Sequence, residues 1–90
     1  MKFSIITATK NVENQIKNTI QSVISQKGIS LEHIIVDAVS TDNTMDIIEK
    51  YRESYSIKFI SEPDEGIADA FNKGIKLSSG EWIIFLILIN

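Results

Sequence analysis

Three polar segments, each at the end of an apolar run or the start of a helical pattern, hold the residues able to do chemistry. The first is Thr7-Ala8-Thr9, where a run rich in strand formers stops. The second is Asp37, which closes Ile34-Ile35-Val36 and leads into Ser40-Thr41-Asp42-Asn43-Thr44. The third is Asp64-Glu65-Gly66, followed by Asp69, Asn72 and Lys73. A carboxylate at the end of a parallel strand stands at the rim where open α/β sheets collect ligand contacts. It can also cap the following helix, although Ser40, Thr41 and Asp42 are nearer caps; Asp42 and Thr44 are assigned to capping. Asp64 and Glu65 suit the positive end of a helix dipole. Asp69 and Lys73, at i and i+4, could simply pair on a helix surface, worth about 0.3–0.5 kcal/mol. His33 has no Cys or His partner at ligand spacing and is expected as a surface or half-buried strand residue.

The elements that must position these residues alternate cleanly. Residues 3–8 read as a buried strand. Over 12–26, Ile16, Ile20, Val23 and Ile24 form one helical stripe, with Asn11 as N-cap and Lys27-Gly28 as stop signal. A strand over 31–36 precedes a helix over 44–54 that turns Ile47, Ile48 and Tyr51 inward. A short strand follows at 57–61. A third helix over 67–77 buries Ile67, Ala70, Phe71, Gly74 and Ile75, and Ser79-Gly80 ends it. The last strand runs over 82–89, with Trp82 in core or rim packing. This βαβαβαβ order predicts a three-layer, Rossmann-like open parallel sheet with right-handed crossovers and helices on both faces.

Composition bounds the function. Ninety residues fit one small domain, and a net charge of −3 gives no footprint for nucleic acid. No cysteine is present, so disulfides, thiolate metal sites and cysteine nucleophiles are excluded. The N-terminus is not a signal peptide, and the longest apolar stretch, 82–89, is too short for a transmembrane segment, which needs about 20 residues. A cytoplasmic chain is expected. A receiver-like signalling domain needs clustered acids after its first strand, and Thr7-Ala8-Thr9 supplies none.

In order and spacing, Phe3-Ser4-Ile5-Ile6-Thr7-Ala8-Thr9-Lys10-Asn11, Ile34-Ile35-Val36-Asp37, and Asp64-Glu65-Gly66 through Asp69-Ala70-Phe71-Asn72-Lys73-Gly74 to Ser79-Gly80-Glu81-Trp82 are together informative. They resemble the N-terminal nucleotide-binding half of the inverting bacterial family 2 glycosyltransferases, which have the GT-A fold. The resemblance covers essentially the whole chain. It implies the sheet order 3-2-1-4, with a ligand crevice at the carboxyl ends of strands one, two and four. It also implies that Thr7, Ala8 and Thr9 line the nucleobase and ribose pocket, and that Asp37 bonds the uracil ring as a partly solvated acceptor. Asp69, Asn72 and Lys73 would face a UDP-type nucleotide-sugar donor, with Lys73 offsetting diphosphate charge. The expected reaction is inverting transfer of a sugar to a hydroxyl acceptor, as in cell-surface polysaccharide biosynthesis.

Departures from the family pattern shape the rest of the expectation. The family holds a divalent cation, Mn²⁺ or Mg²⁺, through carboxylates after strand four. Here Ile87-Leu88-Ile89-Asn90 stands instead, so neither metal ligands nor catalytic residues are assigned. Lys10 replaces a usual aromatic, and Ala38 and Val39 replace glycines. Residues 1–90 are therefore read as one incomplete, truncated GT-A domain that binds a nucleotide weakly and is inactive by itself. The alternative is a non-catalytic nucleotide-binding or interaction module. An exposed strand-four edge over 82–89 further predicts a homo-oligomer.

Overall fold

Seven elements alternate along the computed structural model, which describes residues 1–88. They are β1 (Lys2–Thr9), α1 (Ile16–Ile24), β2 (Ser30–Asp37), α2 (Thr44–Glu49), β3 (Ile57–Ser61), α3 (Ile67–Leu77) and β4 (Trp82–Ile87). The strands form one sheet in the order β3-β2-β1-β4, with every neighbouring pair parallel. Two crossovers step from β1 through β2 to β3, and the third returns to the other side of β1. The switch point therefore flanks β1, as expected.

Apolar residues on β1 and β2 are buried on both faces because helices cover both, as parallel sheets require. One face packs Ile35 against Val12, Ile16 and Ile20 of the α1 region and Ile48 of α2. The other packs Ile6, Ile34 and Val36 against Ala70 of α3. Burying each of these isoleucines contributes about 1.5–3 kcal/mol. Gly74 lets α3 approach β1 closely, since a Cβ there would collide with the Ile6 side chain.

Several sequence-based expectations are corrected. The α1 helix begins at Ile16 rather than near Val12, after a turn in which the Gln15 and Ile16 amides both donate to the Val12 carbonyl. Asn11 does not cap α1: it sits at a φ of 51°, and its Oδ1 accepts from the Thr41 and Asp42 amides. The amides entering α1 are met from the other loop, Val12 by Thr44 Oγ1 and Glu13 by Asp42 Oδ2. Asp42 also accepts from the Thr44 amide at the start of α2, so it joins the turn before α1 to the first residue of α2. The α2 helix ends at Glu49 and gives way to tighter turns up to Ser54. Ile24 is exposed at the end of α1. Ile67 and Ile75 lie off the buried stripe of α3, and Ile67 is 50 % exposed. Trp82 is 55 % exposed and is not a core residue. The expected strand 82–89 ends at Ile87, and Ile89 lies outside the described residues.

Candidate functional site

A cavity of about 220 Å³ opens where β1, β2 and β4 end. Ala8, Thr9 and Lys10 form its β1 side, Ala38 its β2 side, and Ile87 and Leu88 its β4 side. Asp64, Gly66, Ile67 and Ala70 close it from the start of α3. A doubly wound sheet produces such a crevice because the crossover leaving β1 runs to one side of it while the crossover from β3 arrives on the other. Among the described residues, its lining carries one cation, Lys10, and one carboxylate, Asp64, beside the apolar Ala8, Ala38, Ile67, Ala70, Ile87 and Leu88.

Asp37 stands behind this wall rather than in it. The side chain is fully buried, which corrects the expected partly solvated acceptor. Its Oδ1 accepts from the Thr9 hydroxyl at 2.7 Å and the Ser40 hydroxyl at 2.6 Å. Its Oδ2 accepts from the Ser40 amide at 2.8 Å and the Ser61 hydroxyl at 2.9 Å. Thr9 and Asp37 are direct partners in the β1–β2 register. One carboxylate thus ties together the carboxyl ends of β1, β2 and β3 and the following loop.

The other assigned residues divide. Ala8 and Thr9 line the cavity, whereas Thr7 does not: it is fully buried, with its hydroxyl 2.7 Å from His33 Nε2. Strand alternation turns Thr7 away from Ala8 and onto the same face as Thr9, but Thr9 stands at the strand end where the cavity opens and Thr7 lies deeper in the sheet. Asp69, Asn72 and Lys73 do not reach the cavity wall. Lys73 Nζ donates to the Pro63 carbonyl at 2.6 Å and pairs with Glu62 at 3.2 Å and Asp69 at 3.3 Å.

His33 is fully buried, against expectation, and bridges Thr7 to the Tyr55 hydroxyl, 2.6 Å from Nδ1. Burial disfavours the imidazolium and lowers its pKa from 6.5 to about 4. Burial likewise pushes the Tyr55 hydroxyl upward, with Tyr51 adding to the shift.

Sequence reasoning also missed a second polar clasp at the far end of the sheet. Glu32 is fully buried and accepts from the Ser4 hydroxyl and the Ser79 amide, both at 2.6 Å. Lys58 approaches it to 3.2 Å and Lys2 to 3.7 Å. Burial works to raise its pKa, but hydrogen bonds from Ser4, the Ser79 amide and Lys58 outweigh that and bring it to about 2. A signal was available: β2 carries its two carboxylates opposite β1 hydroxyls, Glu32 against Ser4 and Asp37 against Thr9, but reading it requires the register.

Fold and crevice together define a doubly wound α/β domain whose ligand cavity lies at the switch point. The chain belongs to Glycosyl transferase family 2, whose sequence profile matches residues 4–86. A PGL/p-HBAD biosynthesis glycosyltransferase of Mycobacterium bovis is 35 % identical over 86 residues, covering 93 % of this chain and 34 % of that protein. An Escherichia coli protein, UDP-Glc:alpha-D-GlcNAc-diphosphoundecaprenol beta-1,3-glucosyltransferase WfaP, is 40 % identical over 83 residues, 92 % of this chain and 33 % of its own. The chain therefore spans about a third of the length of these relatives. Among solved structures, S. aureus TarS 1-349 in complex with UDP-GlcNAc matches with a TM-score of 0.89 at 33 % identity, over 97 % of this chain and 26 % of that one. The Pyrobaculum calidifontis mannosyltransferase PcManGT, in complex with GDP-Man and Mn²⁺, shares the fold with a TM-score of 0.87 at 23 % identity, over 94 % of this chain and 26 % of its own. Among the described residues, no three His, Cys, Asp or Glu side chains form a group able to hold a metal ion, and no helix is long and apolar enough to cross a membrane.

Proposed function

We propose that this chain forms the donor-binding part of an inverting glycosyltransferase, holding the nucleotide of a UDP-type sugar donor for transfer to a hydroxyl acceptor. The cavity at the carboxyl ends of β1, β2 and β4 carries this reading. Its volume falls below the roughly 300–1,000 Å³ of sites that enclose a whole drug-sized ligand, which suits a base and ribose rather than an entire sugar nucleotide. TarS, matched over nearly the full chain, was solved with UDP-GlcNAc, which supports a uridine nucleotide. In this reading Ala8, Thr9 and Ala38 form the nucleoside wall. Asp37 contributes from behind, by fixing Thr9. The divalent cation expected for the family does not fit the residues at hand: Asp64 is the only carboxylate on the cavity wall among the described residues.

Calorimetric titration with uridine, UDP and ADP tests the proposal. Uridine and UDP are expected to bind weakly, ADP less, and Ala38→Trp should fill the cavity and remove binding while the thermal midpoint holds. Equal binding of ADP, or UDP binding undiminished by Ala38→Trp, would overturn it.

We also propose that the chain self-associates through β4. Among the described residues, the edge strand β4 pairs with β1 alone and leaves Ile83, Ile84, Phe85 and Ile87 exposed. An apolar edge of this kind is a template for a second copy, joined about a two-fold axis.

A further inference from the structure

The segment between β3 and α3 supplies two cavity residues, Asp64 and Gly66, and leads into a third, Ile67 at the start of α3, yet it is largely exposed and has no regular structure. Something must hold it in place. Its start is tied to β2, where the Glu62 amide donates to the Asp37 carbonyl at 2.9 Å. Its middle is tied to α3. Lys73 Nζ meets the Pro63 carbonyl, Glu62 Oε1 and Asp69 Oδ2, so the three donors of the ammonium face three protein oxygens. Asp69 Oδ2 in turn accepts from the Glu65 amide at 3.0 Å, and Asp64 Oδ1 accepts from the Gly66 amide at 3.1 Å. Gly66 adopts a φ of 124°, a conformation that side chains oppose.

We propose that Lys73 and Asp69 are positioning residues that fix the 62–66 segment as the α3 wall of the crevice, rather than ligands of the donor diphosphate. The geometry is independent of the ligand; the consequence for binding rests on the nucleotide reading above. A lysine with its donors committed inside the protein has none left for phosphate oxygens. Its pairing is instead spent on one turn of backbone. The Glu65 amide, then Lys73, hold the Asp69 carboxyl below its usual pKa, so it stays charged near neutrality.

The test compares the full chain with Lys73→Gln, Lys73→Arg and Asp69→Asn by amide hydrogen exchange and by titration with uridine and UDP. Lys73→Gln and Asp69→Asn should speed exchange of the Glu65 and Gly66 amides about tenfold, the loss of one charge-assisted hydrogen bond. Exchange in β1 and β2 should not change. Both variants should weaken uridine and UDP by the same factor, because a displaced wall disturbs the nucleoside. Lys73→Arg, which keeps charge and reach, should restore both properties. Unchanged exchange at Glu65 in Lys73→Gln would overturn the proposal. So would a loss confined to UDP, which would make Lys73 a direct phosphate ligand. If the unmodified chain binds neither ligand, the nucleotide reading fails, and exchange alone still decides whether these residues hold the wall.

Discussion

Four hydrogen bonds converge on the Asp37 carboxylate, and this changes what its removal should do. A carboxylate that only read a ligand could be deleted at no cost to folding. Here Asp37→Ala strands hydroxyls of Thr9, Ser40 and Ser61 and the Ser40 amide, and should destabilise the chain by roughly 3 kcal/mol in chemical denaturation. A midpoint within error of the unmodified chain would contradict that. Two other buried groups set the pH response. His33 binds a proton less readily folded than unfolded, so its contribution is complete above pH 6.5 and is lost as pH falls toward about 4. Glu32 is also depressed, so its contribution is complete above about 4.5 and is lost as pH falls toward about 2. Each loss is on the order of 3 kcal/mol. Thermal midpoints measured from pH 8 to 3 should therefore fall in two stages. His33→Gln should flatten the upper one and Glu32→Gln the lower one.

Elements in this fold depend on a few close approaches. Where α3 crosses β1, Gly74 is the residue that permits contact with Ile6. Alanine there would gain about 1 kcal/mol of helix propensity but force the fully buried Ile6 to move, at a cost of about 1–3 kcal/mol. Gly74→Ala should therefore destabilise on balance by about 1 kcal/mol, read from denaturant midpoints. The turn after β2 has the opposite character. Val39 is held at a φ of 53°, a left-handed conformation that costs a non-glycine residue about 1–2 kcal/mol. Val39→Gly should relieve that strain and, after the extra unfolded-state entropy of glycine, raise stability by about 0.5–1 kcal/mol. A lower midpoint would show that the turn is not strained.

For the molecule as a whole, the predictions concern association and metal. If β4 pairs with a second copy, Ile87→Lys should shift the chain toward monomer in light scattering, because a charge blunts an exposed edge. A monodisperse monomer of the unmodified chain at high micromolar concentration would remove the basis for that proposal. Nucleotide affinity should be nearly indifferent to Mn²⁺ and Mg²⁺, since one wall carboxylate cannot form a chelating set. A strong metal-dependent gain in UDP affinity would contradict this.

Strand and helix order was legible in the sequence because it follows from local periodicity. Runs such as Ile34-Ile35-Val36 bury on both faces, and the Ile16, Ile20, Val23 stripe winds at the helical period. The parallel sheet, its order and the location of the crevice followed from that alternation and from the family motifs. Register and depth were not legible. Nothing local distinguishes a rim aspartate facing solvent from Asp37 sealed by Thr9, Ser40 and Ser61, partners 28, 3 and 24 positions away. His33 reads as a surface or half-buried strand residue and Glu32 gives no local signal; only the β1 hydroxyls beside them show that both are sealed. Lys73 reads as a ligand-facing cation on a helix, and only the path of the 62–66 segment shows which oxygens occupy it. The sequence determined which elements form and in what order. Tertiary structure decided which polar groups are sealed and which face the cavity, because desolvation and hydrogen bonding depend on neighbours far away in the chain.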